Sequence, residues 1–473
     1  MNAATPQIGH AIAQWVAEGE IDLAGDVLDR ARKGVADTIA CIVAGAGDEG
    51  AAAVRQTAVA LGNGPATVIG TSTRLAAPWA ALANGTAAHA LDYDDVFAPG
   101  SNHASAVLIP ALLALAEAEG ATGRQLLDAY VAGLEVQAVL GRGIGRGHYD
   151  VGWHNTSTIG CIGAAAGCAR LLGLATEPAR DAIALAVSMA SGPKVQFGSP
   201  AKPFHAGLGA QHAVLAADLA RNGVHARADA IEGERGFIDL FAGSDQTDWP
   251  SLLDRLGAPL AMTEFGVSPK LYPCCGSTHR VLDGVLALRS AHQIALEDVE
   301  HVSTLVGYGN KRNLCYPDPQ DEMEARFSMN YCVAVALAQG KLSLGDFTAE
   351  SIHRPELREF LPRVSMDARP ADAEGDDPAS RMPHEVVIHL KDGSEVRIDV
   401  LDAKGSVTNP LTQGDVEEKF SDCCTGFLAP DDLAAAQAAL ARFESLEHME
   451  ELTRHLAFEA TSDRGERFAR RAA

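Results

Sequence analysis

The chain has 473 residues, of which 38 are Lys or Arg and 62 are Asp or Glu, so its formal net charge is −24. With 47% apolar and 21% charged residues its composition is globular, and its length allows roughly two to four domains of about 100–200 residues. A surface this acidic repels phosphate backbones and anionic lipid, which argues against nucleic acid and membrane surfaces as partners.

The first residues, MNAATPQIGHAIAQWVAEGEIDL, lack a basic stretch followed by an apolar one. No uninterrupted apolar run reaches the roughly 18 residues a bilayer requires. The expectation is a soluble, cytoplasmic protein. Ala104–Glu119 and Thr158–Leu172 are rich in Ala and Leu and predict long helices. Gly160, Gly163 and Gly167 fall on one side of the second and predict close helix packing. Gly120, Gly173 and Gly223 read as helix terminators. After about residue 265 the pattern changes. Val299–Tyr308 reads as a strand, and the acidic, proline-bearing stretch 366–383 as an exposed loop. His384–Leu390 and Glu395–Leu401 flank an Asp392-Gly393 turn and predict a hairpin. Helical pattern returns after about 405, as in Leu433–Phe443. The fold class expected is mainly α with an α+β part. Residues 1–265 form a large helical domain, 266–404 a smaller α+β domain, and 405–473 helices that return to the first.

The nine cysteines are an odd, scattered set with adjacent pairs at Cys274-Cys275 and Cys423-Cys424. This is no disulfide framework and fits a reducing compartment. Sequence neighbours rarely both reach one ion in good geometry, so no metal site is expected. Phosphate-binding glycine motifs, H-E-x-x-H and C-x-x-C are absent, since the glycines at 141, 143, 145 and 147 have the wrong offsets. No cofactor is expected.

Five segments place polar residues at turns or helix ends. In HALDYDDVFAPGSNHAS, which opens at His89, the carboxylates Asp92, Asp94 and Asp95 follow an apolar helix, and His103 follows a loop. Carboxylates are disfavoured at a helix C-terminus, so they belong either to a solvated turn or to a site. Gly152–Thr158 (GWHNTST) puts His154 beside possible caps at Thr156, Ser157 and Thr158, where a helix N-terminus could attract an anion. Ala201–Gly207 places Lys202 at another helix start. Pro269–His279 carries Lys270, Cys274, Cys275 and His279, and its thiols are either structural or nucleophilic. In ARFSMNY, Arg326 and Tyr331 either close a site or pack.

His103, His154, Lys202, Lys270 and His279 are cationic, or able to become so, in a chain that is otherwise acidic. That inventory points to a small anionic substrate rather than a polymer. Removing a proton beside a carboxylate creates an enediolate-like state. Such a state needs cations, hydrogen bonds and a His or Asp base.

The segments ALDYDDVF with NHASAVLIPALLALAE, GWHNTSTIGCIGAAAGCARLLGL, KPFHAGLGAQHAVLAADLARNGV, KLYPCCGSTH and ARFSMNYCVAVALAQGKLSLGDF occur in this order between about 30 and 350. Together they resemble the 2-methylcitrate dehydratase (MmgE/PrpD) family. The resemblance implies a large all-helical domain, a smaller α+β lid domain, a homodimer and no metal cofactor. It also implies a small di- or tricarboxylate substrate. Members include 2-methylcitrate dehydratases, cis-aconitate decarboxylases and iminodisuccinate epimerases. By analogy with the decarboxylases, the catalytic set is Asp92, His103, His154, Lys202 and Lys270. Cys275, His279 and a tyrosine at Tyr308 or Tyr316 join it as substrate-binding residues.

Val96 stands where the decarboxylases carry threonine and Cys275 where they carry histidine, and the loop from Asp92 to His103 is one residue longer. These departures count against decarboxylation. The loop length, GRGHYDVGWHNTST and the pairing of Cys275 with His279 are closer to the epimerases. The leading expectation is a metal-independent, dehydratase-type lyase. Epimerisation comes second and decarboxylation third, and a non-catalytic carboxylate-binding protein is the alternative outside enzymes.

Overall fold

The computed structural model describes residues 7–241, 247–373 and 381–458. The chain divides into two compact units. Among the described residues, the first comprises those up to 269 together with 416–458. The second comprises residues 270–415.

The first unit is a helical assembly. Its central members are Ala77–His89, Ser105–Glu119, Gly123–Ile144, Ile159–Leu171 and Ala201–Arg221. Every residue from Ser105 to Ala116 is buried, and so is every residue from Ala80 to His89. A helix that is apolar all round has no solvent face to spare and becomes core. Ala and Gly side chains let these backbones approach closely. A Cβ at Gly163 would sit 2.2 Å from Gln137 Cγ and 2.8 Å from the Gly133 carbonyl, so the glycine run is packing, as expected. At Gly207 a Cβ would lie 2.3 Å from the Leu82 carbonyl and 2.2 Å from Thr86 Oγ1. Gly207→Ala should therefore force the Ala77–His89 and Ala201–Arg221 helices apart and cost about 1–3 kcal/mol. Urea unfolding checks this, and an unchanged midpoint would contradict the packing account. Gly120, Gly173 and Gly223 take positive φ at the ends of their helices, as terminators do. A two-stranded antiparallel ribbon of β1 (Ala66–Thr67) and β2 (Arg74–Leu75) packs against the Ala77–His89 and Ser105–Glu119 helices.

The segment after 416 belongs to this same unit. The Gln413–Cys424 helix carries Lys419, whose Nζ lies 2.5 Å from Asp37 Oδ1 on the Gly25–Gly45 helix. Further on, the Leu446 carbonyl accepts from Gly123 N–H at 2.8 Å.

The second unit has a four-stranded sheet of β3 (Val299–Val306), β4 (Val364–Ala368), β5 (His384–Leu390) and β6 (Glu395–Val400), in the order β4-β3-β5-β6. β3 pairs parallel to β4 and antiparallel to β5, and β5 and β6 form the expected hairpin. The Asp392 carboxylate accepts from Ser394 N–H at 2.9 Å, and Gly393 takes φ of 85° in the turn. The Gly276–His292 helix packs on β5 and β6 and against the Met329–Gln339 helix. Two expectations are corrected. Residues 366–368 are not loop: they complete β4, because Val302 to Val306 offer them a ladder that no local pattern announces. Tyr308 does not end the strand but opens the short Tyr308–Asn313 helix. Of the expected loop, residues 374–380 lie outside the described residues.

The architecture is therefore mainly α with a small α+β part. No helix among the described residues is long and apolar enough to cross a membrane.

Candidate active site

The Ala77–His89 helix stops at His89, and the chain then turns sharply through Asp92, which sits in the left-handed region at φ 52°. Asp tolerates that conformation better than most residues. Beyond it, Phe97 and Asn102 exchange backbone hydrogen bonds, closing a tight loop that delivers His103 to the start of the next helix. The loop is tied down from outside. Asn155 Nδ2 donates to the Gly100 carbonyl at 2.8 Å, and His103 N–H donates to Thr156 Oγ1 at 3.1 Å.

His89 Nδ1–H donates to Asp94 Oδ2 at 2.8 Å. The same oxygen lies 3.3 Å from His103 Nδ1, outside good hydrogen-bond geometry, so one carboxylate faces two imidazoles. Burial alone would raise the Asp94 carboxyl, but His89 and His103 hold it well below the usual range. It is ionised, which fixes the His89 proton on Nδ1. Asp92 Oδ1 accepts from Lys202 Nζ at 2.7 Å and lies 3.9 Å from His103 Nε2. The rings of His89 and His103 are 4.4 Å apart, and those of His89 and His154 are 5.7 Å apart. His154 Nδ1 meets His205 Nδ1 at 3.2 Å, so one donates and the other accepts. Burial first, then the nearby His89 and Lys202, keep His154 neutral at pH 7. Phe197 stands edge-on to His154 at 4.9 Å and within 5.5 Å of Lys202 Nζ, leaving 37% of its surface exposed.

Four expected catalytic residues, Asp92, His103, His154 and Lys202, thus converge in one cluster. It holds an ammonium, two carboxylates and at least one neutral imidazole, the equipment for binding an anion and moving a proton. His89, Asp92, Asp94 and His103 each offer a ligand atom within 4.8 Å of one another, so they could also hold a metal ion. Against that, Lys202 already sets a positive charge on Asp92.

Two family models match the chain: the MmgE/PrpD N-terminal domain over residues 10–250 and the MmgE/PrpD C-terminal domain over residues 272–444. The chain belongs to the MmgE/PrpD family. It is similar to the cis-aconitate decarboxylase of Mus musculus, at 30% identity over 400 residues, or 81% of this chain and 79% of the relative. The Homo sapiens cis-aconitate decarboxylase is 30% identical over 80% of this chain and 79% of its own length. That of Aspergillus terreus is 25% identical over 86% and 87%.

In this MmgE/PrpD chain the other named residues lie in the second unit. Lys270, Cys275 and His279 are buried there, whereas Tyr308 is 47% exposed. His279 Nε2 donates to the Cys274 carbonyl at 3.3 Å, and its ring meets Tyr272 edge-on at 5.1 Å. Cys275 N–H donates to the Arg326 carbonyl, and Arg326 Nη1 donates to the Pro273 carbonyl at 2.5 Å. Tyr331 OH donates to the Asp346 carbonyl, so both it and Arg326 pack within this unit.

The capping role expected for Thr156, Ser157 and Thr158 is corrected. No side chain caps the Ile159–Leu171 helix. Thr156 serves His103 instead, and Thr158 Oγ1 pairs with His148 Nε2 at 2.7 Å. The N–H groups of Ser157 and Thr158 go to the His154 carbonyl, and that of Gly160 to Asn155, so this turn is not an open anion cradle. Sequence reasoning also passed over His89, His205 and Phe197. His89 opened a named segment but reads as core on an Ala-rich helix, and His205 lay inside the KPFHAG motif. Phe197 alone had a local signal, a large apolar side chain in a polar Gly/Pro loop.

Burial holds His89 and His148 down to about 4, and His384 to about 3. Their folded values lie below the unfolded one near 6.5, so the unfolded chain binds more protons in that window. Stability is full above about 6.5 and is lost as pH falls toward 4. Asp95 works oppositely: burial, partly offset by its bond from Ser105, raises its carboxyl to about 7, and its contribution is lost as pH rises through 7. Three histidines outweigh one carboxyl. The melting temperature should fall steadily from pH 6.5 to 4, and a flat profile would contradict the assignment of neutral, buried rings.

Proposed function

We propose that this protein is a metal-independent lyase that removes a proton from the carbon beside a carboxylate of a small di- or tricarboxylate. Loss of water is the leading outcome. The observation that carries the reading is the gathering of Lys202, Asp92, His103 and His154 at the turn after His89. Lys202 neutralises one substrate carboxylate and the charge that develops on it, and the resemblance assigns Lys270 the same kind of role. His103 or His154 takes the proton, and Asp92 orients Lys202 and His103 or relays the proton. Asp94, with His89 behind it, stabilises positive charge that develops on His103. In this reading Cys275, His279 and Tyr308 are the substrate-binding residues that the resemblance assigns, and the protein works in the cytoplasm as a homodimer.

A second reading, decarboxylation of a cis-aconitate-like tricarboxylate, is favoured by the names of the relatives. Elimination of water and loss of CO₂ can share the carbanion-like state. They differ in which group leaves and where the returning acid stands. Val96 and Cys275, which stand where the resemblance places threonine and histidine in the decarboxylases, count against this second reading.

The test is NMR on a panel of di- and tricarboxylates, including cis-aconitate and 2-methylcitrate, incubated with the protein in D₂O. A new alkene with no CO₂ release supports dehydration. CO₂ release assigns the second reading, and deuterium exchange without net conversion assigns epimerisation. No change in any member of the panel overturns the proposal.

A further inference from the structure

We propose that the buried pair Lys419–Asp37 is a positioning clamp for the loop that carries Asp92 and Asp94. Lys419 reaches the site from the Gln413–Cys424 helix, far along the chain from every other residue there. Its Nζ lies 2.5 Å from Asp37 Oδ1, donates to the Tyr93 carbonyl at 2.8 Å and stands 3.9 Å over the Tyr93 ring. Lys419, Asp37 and Tyr93 are all buried. The Tyr93 carbonyl belongs to the peptide that joins Tyr93 to Asp94, one residue after the left-handed Asp92. A single ammonium therefore grips the backbone between the two carboxylates. It sets Asp92 toward Lys202 and Asp94 toward His89 and His103.

Stability does not explain the pair. A buried ion pair carries a desolvation cost that well-packed apolar residues of similar volume avoid. Apolar residues of that volume could not donate to the Tyr93 carbonyl, as Lys419 does. Asp37 in turn keeps Lys419 charged and aimed. Lys419 touches no substrate in this account. It acts through the loop, and its effect on turnover rests on the proton-transfer reading above.

The test compares the double variant Asp37→Asn/Lys419→Met, which leaves neither charge buried alone, with wild type. Asp37→Asn is the second variant; it keeps the Lys419–Tyr93 bond but removes the carboxylate that compensates the buried Lys419 charge, so it should melt lower than the double variant. Arg170→Met, which breaks the Arg170–Asp128 pair elsewhere in the unit, controls for general destabilisation. Three quantities are read on the full chain: thermal melting, the imidazole ¹⁵N signals of His89 and His103 without substrate, and kcat with KM. The double variant should melt cooperatively. Its His89 and His103 signals should move away from the wild-type tautomer pattern. Its kcat should fall by about 10–10²-fold, as a misplaced catalytic group causes, with KM changed less than about threefold. Asp37→Asn should show smaller changes of signal and kcat, and Arg170→Met should leave both signals in place. Wild-type imidazole signals in either folded clamp variant would overturn the clamp. The NMR arm needs no substrate, so it decides the clamp even if every polycarboxylate fails and the functional reading falls.

Discussion

Replacing His103 or His154 by Gln should lower turnover by about 10²–10⁴-fold, the usual contribution of a positioned acid or base. Substrate affinity should change little, because the charges that bind carboxylates sit on lysines. The two variants should differ in their side effects. His103 is partly open and faces two carboxylates, Asp92 and Asp94. Gln there should preserve the fold. His154 is buried against His205 and Phe197, and its N–H donates to the Gly192 carbonyl at 2.8 Å. Gln at 154 leaves the backbone bond but not the ring contacts, so it should also lower the melting temperature. Steady-state kinetics and substrate binding by calorimetry separate these effects. Full turnover in both variants would remove histidine from the mechanism.

Lys202→Met should reduce kcat/KM by about 10²–10³-fold, the scale seen when one charge-stabilising donor is lost. Both kcat and KM should suffer, since the ammonium meets the carboxylate in the ground state and more strongly as charge develops. The substitution also leaves Asp92 without its cation in a mostly buried turn. Asp92→Asn combined with Lys202→Met should recover stability without recovering activity. Lys202→Arg should not restore wild-type rates, because a planar guanidinium cannot replace a compact ammonium 2.7 Å from Asp92. Kinetics of the single and double variants check the prediction. Activity restored by the double substitution would show that Lys202 serves only the fold.

Much of this arrangement was legible in the chain because its chemistry sits where helices stop. Polar residues at a turn stand out against Ala-rich neighbours, so His103, His154 and Lys202 could be named from local pattern, while Asp92 was one of three carboxylates in its turn and only the family resemblance singled it out. Residues whose roles depend on distant partners could not. His89 lies on a helix buried from Ala80 onward, and only the position of Asp94 makes it part of the site. Lys419 reads as one more polar residue in an acidic helix until the fold sets it under Tyr93. β4 carries the sequence VSMDA with weak alternation, and its strand character comes from the parallel ladder offered by β3. The capping expectation at 156–158 failed for a related reason. Hydroxyl groups that would cap locally were claimed by His103 and His148 from elsewhere in the fold.

The central claim is that a proton leaves the carbon beside a carboxylate. It is tested most directly by following solvent deuterium into the substrate or product of the wild-type protein during turnover in D₂O. The account predicts a slowed reaction when the hydrogen on that carbon is replaced by deuterium in advance, and solvent deuterium at that carbon in recovered substrate wherever proton removal reverses, the exchange being lost in His103→Gln and His154→Gln. Turnover with no deuterium gained at that carbon and no isotope effect when its hydrogen is replaced in advance would contradict it.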